Sequence, residues 1–218
     1  LAVVLWGVSF VATKAALREV SPVTLIFTRS ALGTALLVAT LAARRLPLVP
    51  PRASWGPLAL MGFVGVCFHQ LLQAFGIRLT TAVHAGWIVG LIPIWSAVLA
   101  GLFLRERFGT GKVAGLLLGF AGAVLVVSRG RATPGLLALP GTRGDLLMLA
   151  STLNWAIYTA LGRTVMSRLG SLRATAGAML AGWLMLAPLF VRAAGWREYA
   201  ALTPGGVGAL LFLGLGCS

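Results

Sequence analysis

"PVTLIFTRSALGTALLVATLA", residues 22–42, is an apolar stretch of about 20 residues carrying one charge, Arg29. About 20 apolar residues wound as an α-helix cross a bilayer core of about 30 Å. In a soluble protein such a stretch would be one buried helix among polar neighbours. Here the whole chain resembles it. Hydrophobic residues make up 59% and charged residues 10% of 218, and mean hydropathy is +0.96. Soluble domains run near 45–50% apolar and about 25% charged, so a soluble fold has nowhere to put this excess. The composition predicts an integral membrane protein. No period-two alternation marks β-barrel strands. That leaves helices, which satisfy every backbone N–H and C=O inside the segment.

Further apolar runs lie at 1–17, 55–77, 83–104, 112–128, 145–162 and 172–191, and another begins near 205. The expectation is an all-α polytopic bundle. Net charge is +14, and the Lys and Arg residues cluster between runs, where cations anchor helix ends to headgroups. That pattern argues for a lipid bilayer partner and against nucleic acid. A slight excess of cations in one set of loops favours a cytoplasmic N-terminus. Cys67 and Cys217 lie in apolar runs without CxxC spacing or a His partner, so neither metal nor other cofactor is expected. The chain starts without Met and both ends fall inside apolar runs. We therefore expect it to be part of a longer chain.

The segment "LWGVSFVATKAALREVSP" resembles "LNWAIYTALGRTVMSRLGS" at an offset of 149, with Trp6 on Trp155, Val8 on Ile157, Lys14 on Arg163 and Val20 on Leu169. About five spans separate the copies, and an odd number inverts the second in the membrane, as in many transporters. The expected organisation is a first five-helix repeat at 1–128, a loop at 129–144, and an incomplete second repeat at 145–218. About eight of ten transmembrane helices would then be present.

Several motifs resemble a known family. They are Trp6-Gly7 in the first run, Arg29 early in the second, Pro93 within the fourth and Glu106 at its end. Gly111, Gly115, Gly119 and Gly122 follow in the fifth. Their order and spacing resemble the EamA-type transporters of the drug/metabolite transporter superfamily, most closely over 80–128. The resemblance implies ten helices in two inverted five-helix repeats. It also implies export or import of small metabolites, often amino acids or related compounds. A bacterial inner membrane is the expected location.

The side chains suggest where a substrate would sit. Intramembrane polar residues usually face the bundle interior or a wet cavity. His69, Gln70 and Gln73 share a face of the third span, and Asn154 and Tyr158 lie four residues apart on the sixth. Trp6 and Trp155 occupy matching places in the two copies, and Trp95 is a further large candidate. Interhelical packing is the plainer alternative for each. Arg29 lies about 10 Å below the start of its span, deep enough for a site yet shallow enough to snorkel. With Lys14 it would attract an anionic group. Pro93 and Gly90 are the gate or hinge candidates, against a static kink. Gly111, Gly115 and Gly119 recur every fourth residue. Close packing within the chain is the expectation, a homodimer face the alternative.

Glu106 sits between Arg105 and Arg107, and Glu19, Asp145 and Glu198 fall at boundaries or in loops. A proton relay through an intramembrane carboxylate is therefore not expected. No GxSxG, HExxH or paired carboxylates appear, so an enzyme is not expected. The function predicted is a secondary-type permease working by alternating access on a small-molecule substrate. A membrane-embedded enzyme and a non-transporting scaffold remain as alternatives.

Overall fold

Ser21, Thr81 and Thr203 each start a helix in the same way. The hydroxyl accepts from a backbone N–H three residues on: Thr24 at 3.3 Å, His84 at 3.1 Å and Gly206 at 3.1 Å. Proline follows the cap at Pro22 and Pro204, where its missing N–H costs nothing. The computed structural model describes residues 2–104, 109–127 and 143–217. These form α1 (Ala2–Ala16), α2 (Pro22–Ala43), α3 (Trp55–Met61), α4 (His69–Leu79), α5 (Ala82–Val89), α6 (Ile92–Leu104), α7 (Thr110–Val127), α8 (Arg143–Leu169), α9 (Ser171–Arg192) and α10 (Pro204–Leu211). No strand occurs among the described residues. Glu106 and its flanking arginines lie outside them.

The helices follow the apolar runs, with two informative departures. α3 and α4 form one continuous helical span, Arg52–Leu79, joined by a wider π-helical segment at Gly62–Phe68. The fourth run is instead broken. α5 stops at Val89, Gly90 and Leu91 turn, and α6 begins at Ile92. Pro93 cannot donate to the carbonyl four residues back, and Leu91 tightens to bond Ile88 O at 3.0 Å. Pro188 lies inside α9 without breaking it. Arg52–Leu79, α2 and α9 are each long and apolar enough to cross a membrane.

The surface carries Leu117, Leu118, Leu184 and Val191, while Thr24, Ser30, Thr34, Ser151 and Thr152 are buried. This apolar-out, polar-in arrangement suits a bundle whose solvent is lipid. The chain is an all-α polytopic membrane bundle.

Packing exchanges the two ends of the chain. α2 lies against α9 and against Phe212–Gly216, itself π-helical; α9 lies against Gly62–Phe68. Likewise α1 packs on α10, and α8 on α3. At the offset of 149, α2 falls on α9, both of 22 residues, and residues 63–67 fall on 212–216. Each contact therefore has a counterpart with the two ends exchanged. Glycines set the spacing. A Cβ on Gly62 would stand 2.5 Å from Ala178 O and 2.7 Å from Gly182 N. Backbones touch there, as small residues permit.

The loops are crossed in the same manner. Glu19, after α1, accepts from Thr203 N and Oγ1 at 2.8 Å each, at the start of α10. Glu198, before α10, accepts from Ser21 N at 2.6 Å, at the start of α2. The glycine stripe departs from expectation. Gly111, Gly115 and Gly119 are exposed, and a Cβ on any of them meets nothing within 4 Å. Among the described residues α7 packs on α5, and nothing lies close to these three glycines.

Candidate functional site

A cavity of about 340 Å³ lies where the exchanged helices meet. α1 contributes Ser9 and Phe10, α2 Arg29, and the first π-helical segment Gly65 and Val66. α4 contributes His69, Gln70 and Gln73, and α5 Val89. Trp155 and Tyr158 come from α8, Thr175 and Met179 from α9, and Gly216 and Cys217 from the end of the second π-helical segment. The volume is at the lower end for small-molecule sites, and the mix of apolar walls with a few polar groups is typical of them.

Arg29 is the fixed charge among the described residues lining it. Its Nη2 donates to Cys217 O at 2.6 Å and its Nη1 reaches Gln70 Oε1 at 3.5 Å. The guanidinium is thus turned inward rather than snorkelling to the surface. Its five donors in a planar fork suit a carboxylate or phosphate. Aromatic rings form the facing wall. His69 lies 4.9 Å from Trp155, and Trp155 5.3 Å from Tyr158, between ring centroids. His69 Nδ1 donates to Ser151 O at 3.0 Å, which fixes the ring's orientation and leaves Nε2 as its other polar atom. Gly65 is what admits the Tyr158 ring, because a Cβ there would collide with it.

Arg29, His69, Gln70, Gln73, Trp155 and Tyr158 are thus brought together. Other expected residues are placed elsewhere. Asn154 is buried, and its Nδ2 donates to Val64 O at 2.7 Å, away from the cavity. That carbonyl also accepts from the backbone N–H of His69 at the end of the π-helical segment, so Asn154 is a second donor to it, reaching across from α8. Lys14 donates to Thr80 O at 2.7 Å and does not line the cavity. Trp95 is half-buried and also off the lining, its indole nitrogen buried without a protein partner. The Trp6 side chain lies outside the described residues. Gly90 and Pro93 sit at the break just after Val89, so the interruption in the fourth span adjoins the cavity wall.

Sequence reasoning missed Ser9, Phe10, Thr175 and Met179. Ser9 carries a signal, one turn from Trp6 in an apolar run; the others do not. It also missed Asp145. That residue sits in the first turn of α8, at the boundary expected, but is only 2% exposed. It accepts from Thr80 Oγ1, and His84 Nδ1 lies 3.3 Å away.

The family model of the EamA-like transporter family matches residues 1–128. An uncharacterized transporter of Archaeoglobus fulgidus is 32% identical over the whole chain, which covers 74% of that protein. A probable terminal-alkyne amino-acid exporter of Streptantibioticus cattleyicolor is 29% identical over 87% of the chain and 61% of its own length. A solved crystal structure aligns with 97% of the chain and 74% of its own, at a TM-score of 0.64 and 24% identity, and so shares the fold. The chain belongs to the EamA-like transporter family and is a multi-pass membrane transporter.

Proposed function

We propose that the chain forms most of a secondary-type permease that binds a small metabolite, such as an amino acid or related compound, in the 340 Å³ cavity. Movement would be by alternating access. The observation that carries the reading is the inward-turned Arg29 in a small cavity faced by aromatic rings and side-chain amides. A cation is expensive at that depth and is retained where it has work. The pairing predicts a substrate with an anionic group and an apolar or aromatic part. The name of the Streptantibioticus cattleyicolor relative is compatible with that.

The exchanged packing supports a second repeat beginning near 145, at the 149-residue offset of the first. Two matched bundles rocking about a site between them is the usual form of such transport. The break at Gly90–Leu91 next to Val89 is then the natural hinge. A bacterial inner membrane is the location we assign.

Flux tests the reading. Full-length protein in liposomes should take up labelled amino acids or related anions. Arg29→Ala should lower that uptake while the protein still inserts. Unchanged uptake would remove Arg29 from the site.

A further inference from the structure

We propose that the end of the bundle where α2 and α8 stop and α3 and α9 start is a docking surface for anionic phospholipid headgroups, and that these headgroups tie the two halves of the chain together there.

Packing defines that end. Leu58 and Met61 of α3 pack with Ala178 of α9 and with Val165, Met166 and Leu169 of α8. α2 runs antiparallel to α9. Phe27 stacks on Phe190 with ring centroids 4.1 Å apart, and a Cβ on Gly195 would stand 2.6 Å from Thr24 Oγ1. The last turn of α2 therefore lies towards the start of α9. Arg44, Arg45, Arg52, Arg163, Arg168 and Arg173 all fall at this end, and all but Arg173 are exposed. None of them lines the cavity, and none is in an ion pair among the described residues. Arg173 Nε is buried without a protein partner.

The opposite end is built differently. It carries cations too, but three of the chain's four acids, Glu19, Asp145 and Glu198, stand there with them. Two of these acids tie the halves. Glu19 accepts from Thr203, and Glu198 accepts from Ser21 N. The 149-residue offset gives each tie a counterpart at the arginine end. Arg45 and Ala194, matched by that offset, share a left-handed backbone, with φ of 54° and 49°. The loops after α2 and α9 thus begin alike. Yet the counterparts of Glu19 and Thr203 are Arg168 and Ser54, and those of Glu198 and Ser21 are Val49 and Gly170. Neither counterpart of the two carboxylates is an acid. Nor does Ser54 or Gly170 cap its helix with a side chain, as Ser21 and Thr203 do. The fourth acid, Glu106, lies outside the described residues and is flanked in sequence by Arg105 and Arg107.

An anion from outside the chain supplies the missing charge. Exposed apolar residues between the arginines select a lipid over a soluble ion. Leu48, Val49 and Trp55 are 53%, 72% and 55% exposed. The Trp55 indole donates to Pro50 O at 3.1 Å, which folds this loop back on itself. Tryptophan and arginine together settle at headgroup level, and arginines clustered beside membrane spans attract anionic headgroups. The guanidinium fork matches a phosphate oxygen pair. Arg44, Arg45 and Arg52 come from the first half, and Arg163, Arg168 and Arg173 from the second. One headgroup layer therefore bridges a seam that no carboxylate of the described residues crosses.

The test uses no substrate, so this surface and the cavity reading fail separately. Full-length protein goes into nanodiscs of phosphatidylcholine with or without phosphatidylglycerol. The thermal midpoint should be several degrees higher with phosphatidylglycerol. Arg44→Gln/Arg45→Gln and Arg168→Gln/Arg173→Gln should each lose most of that gain, while melting as the parent does in phosphatidylcholine alone. Should the second pair fail to insert, Arg163→Gln/Arg168→Gln, both exposed, takes its place. Arg192→Gln/Arg197→Gln, at the opposite end, should keep the gain. Inorganic phosphate added to phosphatidylcholine nanodiscs should give none. Equal midpoints in the two lipids overturn the proposal. So does a full gain in either arginine pair, an equal loss in Arg192→Gln/Arg197→Gln, or the same gain from phosphate alone.

Discussion

α2 and α9 have equal length, start 149 residues apart, and pack against each other and against matched π-helical partners. One of their many matched differences bears on the cavity. α2 places Arg29 in the cavity. α9 has Ala178, which is 1% exposed and packs with Leu58 and Met61. The comparison separates scaffold from site. Glycines and apolar residues recur in both halves because both must bring helices close in lipid. At this matched position only α2 is charged, and an arginine in place of Ala178 would face a close backbone contact, since a Cβ on Gly62 would stand 2.5 Å from Ala178 O.

The scaffold half of that comparison breaks most sharply at Gly62. Gly62→Val must push the backbones of the third and seventh spans apart, since its Cβ would stand 2.5 Å from Ala178 O. We expect a loss of about 3 kcal/mol or more, read as a collapse in folded yield in detergent. At matched Gly65 and Gly214 the obstacles are side chains, Tyr158 and Leu32, so alanine there should cost less than Gly62→Val. Equal costs would mean that backbone-to-backbone contact at Gly62 is no tighter a constraint than the side-chain contacts at Gly65 and Gly214.

Arg29→Ala comes next and tests the site half. Losing a charge-assisted hydrogen bond to an anionic substrate costs about 1.5–3 kcal/mol, or roughly 10- to 100-fold in uptake efficiency. Stability should change little, so thermal melting in parallel separates the two effects. Asn154→Ala sharpens the boundary between scaffold and site. It removes the interhelical donor to Val64 O, which keeps its bond from His69 N, and should cost about 0.6–2 kcal/mol in melting experiments, with the substrate's KM unchanged. A raised KM with unchanged melting would return Asn154 to the cavity. The smallest effect is at Gly115, which meets nothing within 4 Å. Gly115→Ala should be neutral or stabilise α7 by up to about 1 kcal/mol. A marked loss would mean that another surface covers that stripe.

The helical bundle was legible because hydropathy along the chain reports lipid directly. Residues 22–42 fall wholly within α2, and the run at 172–191 became α9 almost to the residue. The wide turn at Gly62–Phe68 was not legible. Its Val64 carbonyl takes a second donor from Asn154, ninety positions on, and no local pattern announces such a partner. The site was half legible. Arg29, His69, Gln70 and Gln73 stand out because polar groups are expensive in lipid. Ser9, Thr175 and Met179 do not, since which face of a span turns inward depends on distant spans. Asp145 was misread for the same reason. A helix-boundary position is normally wet, and here Thr80 at the end of α4 and His84 of α5 lie against it.

The central claim is one cavity, lying between the two halves and open to each side of the membrane in turn. Ser9→Cys, placed in full-length protein lacking Cys67 and Cys217, tests it most directly. Ser9 lines the cavity from α1. A membrane-impermeant thiol reagent applied from either side of oriented vesicles should modify it, modification should stop uptake, and the transported metabolite should slow the reaction from both sides. Reaction from one side alone under all conditions, or full uptake after complete modification, would contradict the account.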